Sequence, residues 1–332
     1  MGRYGHVDMA VGRLLGRGIK LRHLSLMAAL QDTESVSAAA TRLNMTQPAA
    51  SRLLADVEAI IGVKLYDRHP RGIRLNACGA MLAERAARIL RDLDQAGREI
   101  EEMGDGKRGT VAIGSVSGPA LEVVLPVVRQ SRIAHPDIQI NVTVDMTDRL
   151  IDELLAGRLD FYLGRIPAAV DPRPLDARMV GEEPLSLVVR EDHPLTRRPE
   201  VTLDDCIAYD WIMQPTGGLL RTTVETYLVQ HRYPLPERVL STSSLLMTLA
   251  LVGSTNSIGT IATAAARFYA DPVRLGGRIV MLPVAPDLRV TAYSLIRLRD
   301  RALSPAARTL YDMIDDRLDV VLQQGLDPLP AG

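Results

Sequence analysis

Cysteine is almost absent from this chain: Cys78 and Cys206 stand far apart among 332 residues. They supply neither a disulfide framework nor a CxxC motif. Long apolar runs are missing too. A stretch such as Leu245–Val252 is interrupted by Thr248 and falls far short of the roughly 18–20 residues of a membrane span, so no membrane partner is expected. The first twenty residues mix Arg3, His6, Asp8, Arg13 and Arg17 without an apolar h-region, so a signal peptide is not expected and the location reads as cytoplasmic. There is no HExxH, GxSxG, Walker GK[ST] or GxGxxG, and the six histidines have no ligand spacing. Adjacent acids at Asp204-Asp205 and Asp315-Asp316 point in different directions on a helix and read as solvated surface. No catalytic residue, metal or cofactor is expected from these patterns.

A large charge of either sign is also lacking, with 39 Lys+Arg against 40 Asp+Glu and a net charge of -1. That average conceals an uneven distribution. Residues 1–75 carry eleven Lys/Arg against six acids, a net of +5, which leaves -6 on the remainder. The chain therefore has a basic head on an acidic body. Its length predicts two domains or slightly more, and 47% hydrophobic with 24% charged residues is ordinary for a globular protein.

In the head, Leu21, Leu24 and Ala28 suit one helix face. Val36, Ala39, Ala40 and Leu43 follow at i, i+3, i+4 and i+7, the pattern of an amphipathic helix with Ser35 or Ser37 as its cap. Asn44-Met45-Thr46 can turn the chain, because Asn tolerates left-handed dihedrals. Thr46 then caps a new helix with Pro48 in its first turn. Small Ala39, Ala49 and Ala50 let the two helices approach closely. The second helix presents Gln47, Pro48, Ala50, Ser51 and Arg52 at its front, where side chains can reach base edges in a major groove. A plain solvated helix face is the alternative; the cluster of Arg68, Arg71 and Arg74 and the local positive charge weigh against it.

The run Ser35–Leu53, SVSAAATRLNMTQPAASRL, with Asp56-Val57-Glu58 and Gly62–Arg68, GVKLYDR, resembles the DNA-binding domain of LysR-type transcriptional regulators. Residues Arg71–Leu75 resemble that family's wing. The resemblance implies a winged helix-turn-helix over residues 20–78, preceded by an extension at 1–19. It also implies double-stranded DNA as partner, with Thr46, Gln47, Pro48, Ala50, Ser51, Arg52, Arg68, Arg71 and Arg74 in contact. The family pattern Thr-Glu-Ala-Gly after the wing is replaced by Asn76-Ala77-Cys78-Gly79, which changes a helix cap.

Next comes a seam of Leu82, Ala86, Ile89, Leu93, Ala96, Ile100 and Met103, spaced alternately by four and three. Such a seam predicts a linker helix that pairs two chains, placing dimerisation on Leu82, Ala86, Ile89, Leu93, Ala96 and Ile100. A helix lying on its own domain gives a similar stripe, usually wider. The linker and its hinge, Gly104–Gly109, occupy residues 79–108. A dimer would read two half-sites of a pseudo-palindromic promoter.

Beyond residue 109 strands alternate with helices: Val111–Ser115, Ile138–Val144, Asp160–Gly164, Leu185–Val189, Trp211–Met213, Arg238–Leu240 and Val290–Ile296, with helices near Ala120–Ser131, Arg149–Ala156, Leu219–His231, Leu245–Gly253 and from Ser304 to about Gln323. This predicts mostly parallel sheets covered by helices. The pattern resembles the two-lobed effector-binding domain of the same family, an α/β fold similar to type II periplasmic binding proteins. Lobe I would take 109–180 and 283–325, and lobe II 181–282. Hydroxyl-bearing stretches fall at strand ends that open helices: Ser115-Val116-Ser117, Met146-Thr147, Thr216 and Thr242-Ser243, with Arg221 in a first turn. They suit a small anion or polyol, although Ser and Thr are also the preferred helix caps.

Three stretches (Lys20–Leu24, Met213–Tyr227 and Thr242–Leu251) resemble the branch containing galactose-binding-protein regulators and protocatechuate-pathway regulators, which implies a sugar or a small organic acid as effector. Family membership further implies self-assembly to a dimer or tetramer and contact with RNA polymerase. The competing readings are a cytosolic enzyme, for which no acid/base constellation is visible, and a solute-binding protein, which would not carry a helix-turn-helix.

Overall fold

The computed structural model describes residues 14, 16–69, 72–105, 109–274 and 277–325. Two compact units follow one another, Met1–Glu101 and Glu102–Gly332. Among the described residues no helix is long and apolar enough to cross a membrane.

The first unit is helical with a small hairpin: α1 (Leu21–Thr33), α2 (Val36–Arg42), α3 (Gln47–Ile61), β1 (Tyr66–His69), β2 (Gly72–Leu75) and α4 (Ala77–Asp105). Local chemistry sets most of these boundaries. The Ser35 hydroxyl accepts from the Ala38 N–H and starts α2; the Thr46 hydroxyl accepts from Ala49 N–H and starts α3. Asn44 adopts φ 52° between them, the left-handed turn expected from its residue type. Buried Leu26, Met27, Leu30, Ala39, Ala40, Ala50, Leu53, Leu54 and Val57 form one core under the three helices. The hairpin is antiparallel, with Tyr66 opposite Leu75 and Asp67 opposite Arg74. Asn76 starts α4: its Oδ1 accepts from Gly79 N–H and its Nδ2 donates to the Lys64 carbonyl.

The second unit repeats one plan twice. In lobe I, β3 (Gly109–Ser115) pairs in parallel with β4 (Ile138–Val144) on one side and β5 (Phe161–Gly164) on the other. In lobe II, β7 (Trp211–Met213) lies between parallel β8 (Val239–Ser241) and β9 (Ile258–Ala262). Lobe II thus places the carboxyl ends of all three parallel strands at helix starts, and lobe I those of β3 and β4, while β5 ends in a loop that leads to the next strand. The connecting helices are α5 (Ser117–Pro119), α6 (Leu125–Ala134) and α7 (Thr147–Leu155) in lobe I, and α8 (Leu203–Ile207), α9 (Leu219–Gln230), α10 (Leu245–Ser254) and α11 (Thr263–Ala270) in lobe II, where a short strand β10 (Ile279–Met281) follows.

Two long strands cross between the lobes. β6 (Leu175–Arg190) and β11 (Arg289–Leu298) run antiparallel. Val180 and Tyr293 belong to the lobe I core, and Leu185 and Val290 to the lobe II core. The chain therefore returns to lobe I within β11, rather than at residues 282–283. A closing helix, α12 (Pro305–Gly325), covers the lobe I core through Leu310, Ile314 and Leu318. Arg178 of β6 holds it by ion pairs to Asp315 and Asp319.

Three elements differ from the sequence expectation. Strand β6 has 16 residues, not only Leu185–Val189, because it serves both lobes and its burial changes along its length. Strand β9 and helix α11 were not expected; glycine, threonine and alanine dilute their apolar pattern, although all five residues of β9 are buried. The helix expected at Ala120–Ser131 begins earlier, at Ser117, and contains a π-helical turn at Ala120–Val124 before α6.

Candidate DNA and effector sites

Gln47, Pro48, Ser51 and Arg52 are exposed on the front of α3, so the reading face expected from the sequence is available to a groove. Thr46 is exposed as well, with its hydroxyl engaged as the cap of α3. Ala50 is not on that face. It is 0% exposed and packs in the head's core, because one residue in each helical turn must face inward. Its role is to allow close helix approach. Arg52 and Arg74 are exposed and make no ion pair among the described residues, which leaves both guanidinium groups free for DNA. Arg71 and the side chain of Arg68 lie outside the described residues.

The linker seam divides into two parts. Ala86 is 0% exposed and Leu82 half-buried, both against the head's own core, so the expected pairing role fails for Ala86. Ile89 and Leu93 are 45% and 48% exposed, and Ala96 is exposed beside them. The side chain of Ile100 lies outside the described residues.

In the sensor unit, Ser117 and Thr147 sit at the carboxyl ends of β3 and β4. Neither caps its helix: the cap positions fall on Val116 and Met146, without side-chain bonds. Both hydroxyls are half-buried and uncommitted among the described residues. Ser115 differs. It is fully buried and its hydroxyl donates to the Val116 carbonyl at 2.9 Å, so it is not open to a ligand. In lobe II, Thr216 lies exposed in the turn before α9. The Thr242 hydroxyl accepts from Ser244 N–H, and Ser243 is exposed next to it. Arg221 is already paired: its Nε donates to Glu225 Oε1 at 2.6 Å and its Nη1 reaches the Ser241 hydroxyl.

One charged group at this end of the sheet escaped the sequence reading. Arg165 directly follows β5 and is 7% exposed. It donates to Glu183 Oε2 at 2.8 Å and to the Thr291 carbonyl at 2.7 Å. A cation just past a buried strand was visible in the sequence; its partners, 18 and 126 residues away, were not. Nearby, burial pushes the Tyr293 hydroxyl well above the usual tyrosine range, so it stays protonated. No cluster of three metal-ligating side chains occurs among the described residues. Burial likewise pushes the Cys206 thiol up to about 12, far from a reactive thiolate.

Comparisons with known proteins agree with this division. Residues 21–80 match the family of bacterial regulatory helix-turn-helix proteins of the lysR type, and residues 104–319 match the LysR substrate binding domain. A protein from Rhizobium radiobacter named HTH-type transcriptional regulator GbpR is 44% identical over 75% of this chain and 83% of its own length. A protein of the same name from Azospirillum brasilense is 37% identical over 94% and 91%. Among solved structures, CbnR, a LysR family transcriptional regulator, superposes with a TM-score of 0.66 at 20% identity, covering 90% of this chain and 99% of CbnR. CbnR complexed with its target DNA gives 0.65 at 20% identity, over 90% of this chain and all of that one. These relatives are regulators rather than enzymes, and the reading head and two-lobed sensor both carry the family's pattern: this chain belongs to the LysR family of DNA-binding transcriptional regulators.

Proposed function

We propose that this regulator senses a neutral polyhydroxylated metabolite of the sugar class in the cleft between its lobes. The observation that supports this over a small organic acid is the state of the arginines. Arg165 is neutralised by Glu183 and Arg221 by Glu225, while the hydroxyls of Ser117, Thr147 and Thr216 make no bond among the described residues. A carboxylate would have to displace an existing ion pair; a polyol needs only donors and acceptors.

The working unit on this reading is a dimer formed along the exposed part of α4, with two heads on two half-sites of a promoter in the cytoplasm. Tetramer formation and contact with RNA polymerase extend the same reading. The domains divide as head 20–78, linker 79–108 and sensor 109–325. A thermal-shift screen of the full chain against neutral aldoses and against aliphatic and aromatic carboxylates tests the effector class, since a ligand of the folded state raises the melting temperature by mass action. Stabilisation by aldoses is expected. Stabilisation by carboxylates alone overturns the reading.

A further inference from the structure

We propose that Arg165 and Glu183 are positioning residues: a latch across the strands that connect the two lobes, which sets the angle between them. The antiparallel ladder of β6 and β11 shifts register twice in succession, between Val290 and Tyr293 and again between Tyr293 and Ser294. Val290 pairs with Glu183 and Tyr293 with Gly181, so two residues of β11 face one of β6. Such a bulge bends its strand and takes backbone groups out of the ladder. Here the Thr291 carbonyl is taken up by Arg165 Nε in a part-buried bond, which gives that backbone group a partner at the bulge. The same guanidinium holds the Glu183 carboxylate on β6. One side chain, placed at the carboxyl end of β5, thus ties both crossing strands at their irregularity.

The other cleft loop leans on the same carboxylate. A Cβ on Gly118, in the first turn after β3, would overlap Glu183 Oε1. The segments after β3 and β5 therefore both meet the Glu183 carboxylate. A second arrangement is also provided for. Tyr293, on the bulged strand, is 4% exposed and its hydroxyl has no hydrogen-bond partner among the described residues, and the carboxylates of Glu122 and Glu183 and the guanidinium of Arg165 all act on it electrostatically. It supplies the donor that Glu183 takes when ligand shifts the β3 and β5 loops. Two discrete bonded states, rather than continuous flexing, are what a ligand-driven switch requires.

The proposal rests on the cleft being the effector site, and its test separates the two. Full-length protein is footprinted on promoter DNA, with DNA bend and transcription measured without effector, for Glu183→Gln and for the apolar pair Arg165→Met with Glu183→Met. The apolar pair leaves no buried charge unpartnered. The apolar pair is expected to keep near-wild-type melting and DNA affinity, whereas Glu183→Gln, which leaves the buried Arg165 guanidinium without its carboxylate, should melt lower while still folding. In both variants basal transcription should shift by on the order of fivefold or more, the low end of ordinary coupling between sites, with a measurably altered effector-free bend. Tyr293→Phe should leave the effector-free state unchanged and reduce the response to an equimolar mixture of neutral aldoses by a similar factor. Folded variants with wild-type bend and basal transcription overturn the latch. So does an apolar pair that fails to fold, because the residues then serve stability alone. A wild-type protein indifferent to the aldose mixture counts against the sugar reading only, since the effector-free bend still judges the latch.

Discussion

Gly79 lies directly against Leu65: a Cβ at position 79 would overlap the Leu65 carbonyl oxygen. The first turn of α4 is thereby pressed onto the segment entering the wing, and Asn76 fastens the same junction through Lys64. The obstacle is backbone, which cannot swing aside.

Gly79→Ala is therefore expected to destabilise the head by about 1–3 kcal/mol through overpacking, read as a lower melting temperature with weaker DNA binding. Gly97→Ala, in the same helix but with open space around the site, should instead stabilise by up to about 1 kcal/mol. Equal melting of the two variants would contradict the close-packing account.

Arg52 and Arg74 should separate base reading from backbone holding. Arg52→Ala is expected to cost about 1–3 kcal/mol on operator DNA with little change on random sequence. Arg74→Ala should weaken both and lower the salt dependence by about one counterion. Titrations on operator and scrambled duplexes at several salt concentrations measure this. An Arg52→Ala protein that keeps its operator preference removes that residue from the reading face.

Opposite outcomes are expected along α4. Leu93→Glu places a charge on a half-exposed face and should yield a folded monomer by analytical ultracentrifugation. Ala86→Glu buries an unpaired carboxylate in the head and should unfold it. A dimeric Leu93→Glu protein would move the pairing surface elsewhere.

His193 makes the sensor acid-sensitive. It is fully buried; its Nδ1 accepts from Leu195 N–H, so Nε2 carries the proton and donates to the Asn256 carbonyl. Burial lowers its pKa from the ordinary value, with the nearby Arg190 charge adding to the effect. A depressed folded-state pKa means the contribution is complete above the unfolded value of about 6.5 and is lost as pH falls below it toward the folded value. Melting temperature followed downward from neutral pH should decline over that window, and His193→Gln should flatten the decline at a lower starting stability. An unchanged profile in the variant would assign the acid sensitivity to other groups.

The head was legible in the sequence because its governing interactions are local. Ser35, Asn44, Thr46 and Asn76 each act on backbone within three residues or through their own dihedrals, and helix periodicity alone assigns an inner and an outer face. The resolution of such a pattern is one turn of helix. It groups Ala50 with Gln47 and Ser51, and Ala86 with Ile89, although in each case the alanine packs in the core and its neighbours remain exposed.

In the sensor, alternating strands and helices announced an α/β body with hydroxyls at strand ends, and the charge split announced which end reads DNA. Which hydroxyls are free, which arginines are already neutralised and where the chain crosses between lobes were decided by tertiary structure. Arg165 meets Glu183 and Thr291 only once β5, β6 and β11 are in register. No local periodicity encodes that meeting, because the groups are brought together by the burial of two separate cores and not by their spacing along the chain.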